Sequence, residues 1–212
     1  PVGSPHCKLV QLRRHRAFRF DEERPERSGR LAGEIVRVVK RALTTMVGDA
    51  WMRGELEIHE EHLYTECLSA LLRQAIGAVA ESSSGARPLV LLTTFPQESH
   101  GLGLLMAECM MVLQGSRCLS LGTQTPLRDI VQAAQAHRVD VVALSFSATM
   151  NPNHVLDGLE ELRRELPEHV ELWAGGRSPI LQRRAQKGVV ALRDLAQIAP
   201  EIKRWRKAHT PG

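Results

Sequence analysis

Beyond residue 88 the chain alternates between two kinds of apolar pattern. Short runs rich in Val, Leu and Ala, at residues 89–94, 117–121, 139–146, 170–174 and 189–191, predict strands. Between and after them, windows of helical length lie at residues 102–114, 127–137, 155–166, 180–186 and 192–207. Five such strand-helix units predict an α/β fold. Its simplest form is a flavodoxin-like (Rossmann-like) five-stranded parallel sheet covered on both faces. Upstream the period changes. Leu31, Ile35, Val38, Val39, Ala42 and Met46 recur at helical spacing, as do Leu63, Cys67, Leu71, Ala75, Ala78 and Val79. These stripes predict two long helices joined near residues 54–57. The run Ser82-Ser83-Ser84-Gly85-Ala86-Arg87-Pro88 then reads as a boundary. The expected organisation is a linker or N-terminal extension at 1–27, a helical cap at 28–85 and the α/β domain at 86–212.

Composition narrows the class. With 212 residues and 43% hydrophobic content the chain can bury a sizeable core. No apolar run approaches the roughly 18 residues of a membrane span, and the first residues carry no secretory apolar core. A soluble, cytoplasmic protein without a membrane partner is expected. The net charge of +4 is concentrated at Arg13-Arg14-His15-Arg16, Arg183-Arg184 and Lys203-Arg204-Trp205-Arg206-Lys207, which read mainly as solvated faces. No nucleic-acid-binding motif accompanies them, so direct nucleic-acid binding by this stretch is not expected. Cys7, Cys67, Cys109 and Cys118 lack C-x-x-C spacing and read as reduced, structural thiols.

The candidate chemistry gathers at the ends of the predicted strands. Glu98, His100 and Gly103 follow the first strand; Ser145, Ser147 and Thr149 close the third; Gly175 and Gly176 close the fourth. In a flavodoxin-like order the first and third strands flank the topological switch, where open parallel sheets hold ligands. An imidazole there can bind a metal, a neighbouring carboxylate can fix its tautomer, and glycines let a bulky ligand approach the backbone. Protein-bound zinc would need three or four ligands, and only His100 offers itself. Neither a dinucleotide fingerprint nor a P-loop follows the first strand. Ser145-Phe146-Ser147 also argues against a phosphoacceptor receiver, which wants an Asp there. One histidine suits a metal that arrives already held by a macrocycle, as in a corrinoid or a haem.

These residues resemble a known family. Glu98-x-His100-x-x-Gly103 is similar to the D-x-H-x-x-G motif of base-off/His-on cobalamin-binding domains, with Glu in place of the usual Asp. Ser145-x-Ser147 and Gly175-Gly176 match the later serine and glycine motifs of that family. Trp51, followed after nine residues by Glu61-His62, resembles the Trp-x9-Glu-His signature in the helical cap of MerR-type cobalamin-dependent photoreceptors. The turn Leu121-Gly122-Thr123-Gln124-Thr125-Pro126-Leu127 is also similar to theirs, so the resemblance spans roughly residues 28–200.

The resemblance implies that His100 supplies the lower axial nitrogen to cobalt and that Glu98 orients it. Gly103, Ser145, Ser147, Gly175 and Gly176 would receive the nucleotide tail of cobalamin, with Thr149 a further cofactor-binding candidate, while Trp51, Glu61 and His62 would face the upper side. Met52 departs from the pattern, because light-responsive relatives commonly carry there a His that takes the upper position after light breaks the cobalt-carbon bond. That departure and a short cap resemble photocobilins, which hold a bilin such as biliverdin beside cobalamin. The expected protein is a non-enzymatic sensory module. It would bind a tetrapyrrole (adenosylcobalamin or another cobalamin), form a homo-oligomer and signal through an output domain or regulatory partner. The alternatives are a corrinoid protein carrying methyl groups for a methyltransferase and a cofactor-free assembly domain.

Overall fold

Hydrophobic periodicity in the second half of the chain becomes a layered α/β domain. The computed structural model describes residues 58–80 and 87–209, and the chain divides into two compact units, residues 1–78 and 79–212. Helix α1 runs Ile58–Ala80, all but its last two residues in the first unit. Among its described side chains Leu68, Leu72 and Ala75 are buried, whereas Leu63 is 43% exposed and Cys67 and Leu71 are half-buried. Of the expected stripe Ala75 is buried, while Leu68 and Leu72 take the places expected for Cys67 and Leu71. Cys67-Leu68 and Leu71-Leu72 offer two adjacent apolar faces about 100° apart, and packing selected the second. The preceding helical stripe and the joint near residues 54–57 lie outside the described residues.

In the second unit, strands β1 (Leu89–Thr93), β2 (Arg117–Gly122), β3 (Val141–Phe146), β4 (Glu171–Gly176) and β5 (Val189–Leu192) form one sheet in the order β2-β1-β3-β4-β5. Every pairing is parallel. This is the flavodoxin-like order, with β1 and β3 side by side at the switch. The helices are α2 (Leu102–Leu113), α3 (Leu127–Ala136), α4 (Pro152–Glu165), α5 (Pro179–Arg183) and α6 (Ile198–His209). Alternate residues of the central strands enter two separate cores. Leu91, Val142 and Leu144 pack with Ile130 of α3 and Leu159 of α4, while Val90, Leu92 and Val141 pack with Leu104 and Met111 of α2 and Ile202 of α6. Both faces are thus covered, which is why the central strands read as unbroken apolar runs.

Several element ends differ from expectation. Helix α4 begins at Pro152 rather than 155, because the Asn151 side chain accepts from the Asn153 N–H at 2.9 Å and Pro152 suits the first helical turn. The expected helix over 192–207 is split. β5 extends to Leu192, Asp194 accepts from the Ala196 N–H at 2.7 Å to cap a 3-10 turn at Leu195–Gln197, and α6 starts only at Ile198. Strand β3 starts two residues late, because Arg138 turns with φ 51° and the Val139 N–H still bonds Ala134 O at 3.1 Å.

The C-terminal basic run is more than a solvated face. Trp205 is buried at 3% exposure, Arg204 pairs with Glu171 and Glu201, and Arg206 donates to Arg87 O at 2.8 Å and Gly115 O at 3.0 Å. Nearby, buried Asp140 accepts from the Leu89 N–H at 2.7 Å and pairs with Arg87. These bonds close the end of the sheet from which β1 and β3 start. Cys67, Cys109 and Cys118 are free thiols. Burial, reinforced by Glu108, pushes Cys109 up to about 11, and burial raises Cys118 further. Both are therefore unreactive near neutrality. No helix among the described residues is long and apolar enough to cross a membrane.

At the other end of β1 the chain turns on Phe95, which meets Phe146 edge-on at 5.0 Å between ring centroids. The Phe95 ring lies against Gly158 of α4, where an added Cβ would stand 2.4 Å from its edge. Phe95 is 2% exposed and cannot swing away. Gly158→Ala is therefore expected to destabilise the domain by about 1–3 kcal/mol through overpacking. Urea unfolding would measure it, and an unchanged midpoint would show that the Phe95 ring is not held as described.

Candidate functional site

The loop from β1 to α2 carries the first group of candidate residues, and its shape is imposed locally. Gln97 turns with φ 70° and the Glu98 N–H closes a turn onto Phe95 O at 3.1 Å. This folds the Glu98 side chain inward, to 1% exposure, and leaves His100 outward, with 63% of its side chain exposed. A buried carboxylate is costly unless hydrogen bonds replace its water. Here Oε1 accepts from His100 Nδ1 at 2.6 Å and from the His100 N–H at 3.1 Å, and Oε2 accepts from the Ser147 N–H at 2.7 Å. Burial alone would raise the Glu98 carboxyl, but hydrogen bonds from Ser147 and His100 outweigh it and hold the group below the ordinary glutamate range.

The ring consequence follows from the acceptor. A carboxylate at Nδ1 favours the tautomer with its proton there, which leaves the Nε2 lone pair free to face a ligand. The described residues hold no cluster of three or more His, Cys, Asp or Glu able to hold a metal. What the arrangement can offer is one oriented imidazole nitrogen, suited to an open axial position on a metal whose other ligands come with it.

The remaining residues of the crevice meet around this pair. Gly103, in the first turn of α2, faces β3 so closely that an added Cβ would stand 3.2 Å from Ser145 Oγ. Ser147 Oγ bonds Thr149 Oγ1 at 2.8 Å. The β3-β4 register sets Ser145 opposite Gly175 and Phe146 opposite Gly176. At Gly176, φ is 112° and an added Cβ would stand 2.2 Å from Phe146 O. The backbone itself therefore requires glycine there, a reason that the sequence reading, which saw room for a ligand, did not contain. Thr94, the last residue of the first expected strand, was assigned no role from sequence. It is fully buried and its Oγ1 bonds both Glu98 O and the Gln124 N–H.

The upper-side candidates belong to the helical part of the chain. Trp51 lies outside the described residues. Glu61 and His62 fall on α1, where His62 is exposed.

Comparison with known proteins agrees with this fold. The B12 binding domain family matches residues 88–198. The HTH-type transcriptional repressor CarH of Myxococcus xanthus is 34% identical over 130 residues, covering 61% of this chain and 42% of that protein. The HTH-type transcriptional repressor CarA of the same organism is 31% identical over 148 residues, covering 64% and 51%. The chain thus spans about half the length of the curated relatives it matches. Among solved structures, the Methanosarcina barkeri monomethylamine corrinoid protein superposes with a TM-score of 0.58 at 18% identity, covering 81% of this chain and 94% of that one. A cobalamin-binding protein from Desulfitobacterium hafniense gives 0.50 at 20% identity, covering 84% of each. At those identities the likeness is one of fold.

A depressed carboxyl contributes stability that is complete above its unfolded value, about 4.3, and is lost as pH falls through its lower folded value. Glu98→Gln should remove that acid-side loss and, by placing an amide against the Ser147 N–H or the His100 ring, cost about 1.5–3 kcal/mol near neutrality. Urea unfolding of both proteins from neutral pH down to about 3 would check this. Parallel pH profiles would count against a buried, ionised Glu98.

Proposed function

Because the chain belongs to the B12 binding domain family, we propose that it is the cobalamin-holding sensory module of a light-responsive regulator. The observation that carries the reading is the buried Glu98 behind an exposed His100, which presents one imidazole nitrogen outward. These residues fit a corrinoid in their donor chemistry: a single nitrogen and a carboxylate that holds its tautomer.

In this reading His100 is the lower ligand and Glu98 orients it. Gly103, Ser145, Ser147, Gly175 and Gly176 receive the nucleotide tail, and Thr149 is a further cofactor contact. Residues 86–212 are the cobalamin-holding domain, residues 28–85 a helical cap and residues 1–27 a linker or extension. Trp51, Glu61 and His62 serve the upper side. Bound there, cobalamin supplies a cobalt-carbon bond that light can break. The chain's part is to hold different contacts before and after that event, since only a difference between two states can move an oligomer or an output partner. The similarity to two transcriptional repressors supports a regulatory, non-enzymatic and intracellular role. Met52, in place of the His expected after Trp51, favours a second tetrapyrrole, a bilin, on the upper side.

The test is reconstitution in the dark with adenosylcobalamin, with and without biliverdin, followed by spectra and size-exclusion profiles before and after illumination. A bound corrinoid whose spectrum and association state change with light is expected, together with a long-wavelength band when biliverdin is supplied. His100→Ala should weaken cobalamin binding at least about tenfold and remove the lower-nitrogen signature. Bound but light-inert cobalamin would overturn the sensory reading in favour of methyl carriage. Failure to bind any pigment would leave an assembly domain.

A further inference from the structure

His100 is mostly exposed, so packing does not aim its ring. Its direction depends on Glu98, and the backbone of Glu98 depends in turn on a residue of β1's end. Thr94 is fully buried. Its Oγ1 donates to Glu98 O at 2.6 Å and accepts from the Gln124 N–H at 2.9 Å, while its own carbonyl accepts from the Thr125 N–H at 3.1 Å. One hydroxyl thus joins the His100 loop to the loop between β2 and α3. That second loop also reaches the far side of His100, because Thr123 Cγ2 lies 3.1 Å from where a Cβ on Gly101 would stand. Residues on both sides of the imidazole are therefore in contact with one segment, Thr123 to Thr125. Left-handed backbone is held at Gln124, with φ 61°, and at Gln97, with φ 70°, the residue before Glu98. Such conformations persist where the surrounding bonds over-determine them.

We propose that Thr94 is the positioning residue of His100: its buried hydroxyl ties the β2-α3 loop to the Glu98 backbone, and this tie sets the tautomer and direction of the imidazole. Its consequence for cofactor binding rests on His100 being the lower ligand of a bound corrinoid, as read above, whereas the tie itself is a property of the polypeptide. A residue two bonds removed from a metal ligand acts by holding the ligand's own partner, and loss of such support weakens metal sites measurably.

Thr94→Val keeps the shape of the side chain and removes the hydroxyl; Thr94→Ser restores it. In the full chain without cobalamin, nitrogen-15 spectra of the His100 ring are expected to show the Nδ1-protonated tautomer for wild type and Thr94→Ser, and a mixture for Thr94→Val. Hydroxocobalamin should bind Thr94→Val about tenfold more weakly, with a reduced lower-nitrogen signature in its absorption spectrum, and Thr94→Ser should recover both. A folded Thr94→Val protein with the wild-type tautomer and affinity would overturn the proposal, as would failure of Thr94→Ser to recover the tautomer. Should Thr94→Val not fold, amide exchange on wild type decides: the Gln124 N–H must be protected although Gln124 is exposed, and exchange at the rate of a free loop amide would sink the tie. If His100→Ala bound hydroxocobalamin as tightly as wild type, the ligand role of His100 would fall, and the ring tautomer would still judge Thr94.

Discussion

The site depends on one buried negative charge. Glu98 is excluded from water, and a carboxylate so placed is tolerable only if its oxygens are supplied with donors. The donors come from different places: the His100 ring and backbone on Oε1, and the Ser147 backbone on Oε2. Meeting the electrostatic requirement therefore fastens the end of β1 to the end of β3. It also gives the exposed imidazole a fixed partner that packing does not provide.

The parallel sheet makes this fastening feasible. In the order β2-β1-β3-β4-β5, β1 and β3 pair directly although an entire strand-helix unit lies between them in the chain. Beneath the loops, Phe95, Phe146 and Gly158 pack closely, and the backbone of β3 runs so near Gly176 that no side chain fits. At the opposite end, Asp140 gathers Leu89 and Arg87, and Arg206 reaches back to Arg87 and Gly115. The crevice thus stands on a frame braced at both ends, with Thr93 and Thr94 buried where the frame meets the loops.

Much of this was legible in residue order. Five apolar runs spaced by helical windows specified the strands, and His100 was placed on a strand-to-helix loop by its neighbours alone. The displaced helix starts trace to local hydrogen bonding, and the other departures to packing. The Asn151-Pro152 start of α4 was a visible capping signal that apolar spacing overrode, and Asp194 ended a run that otherwise looked continuously helical. On α1, two adjacent apolar stripes were equally good by period, and burial of Leu68 and Leu72 rather than Leu71 was a matter of packing. The basic run near residue 205 looked solvated because charge dominates its composition, yet Trp205 is a core residue with its arginines spent on carbonyls and carboxylates.

By itself the sequence determined the α/β class, the strand-helix alternation and the set of polar residues at the strand ends. Those properties are written in periods of two and 3.6 and in residue chemistry, which act over a few neighbours. Tertiary structure alone decided which of those residues touch. The bond from the Ser147 N–H to Glu98 joins positions 49 residues apart, and the bond from the Gln124 N–H to Thr94 joins positions 30 apart. Neither leaves a periodic trace, because each exists only once the sheet has brought the ends of its strands to one edge.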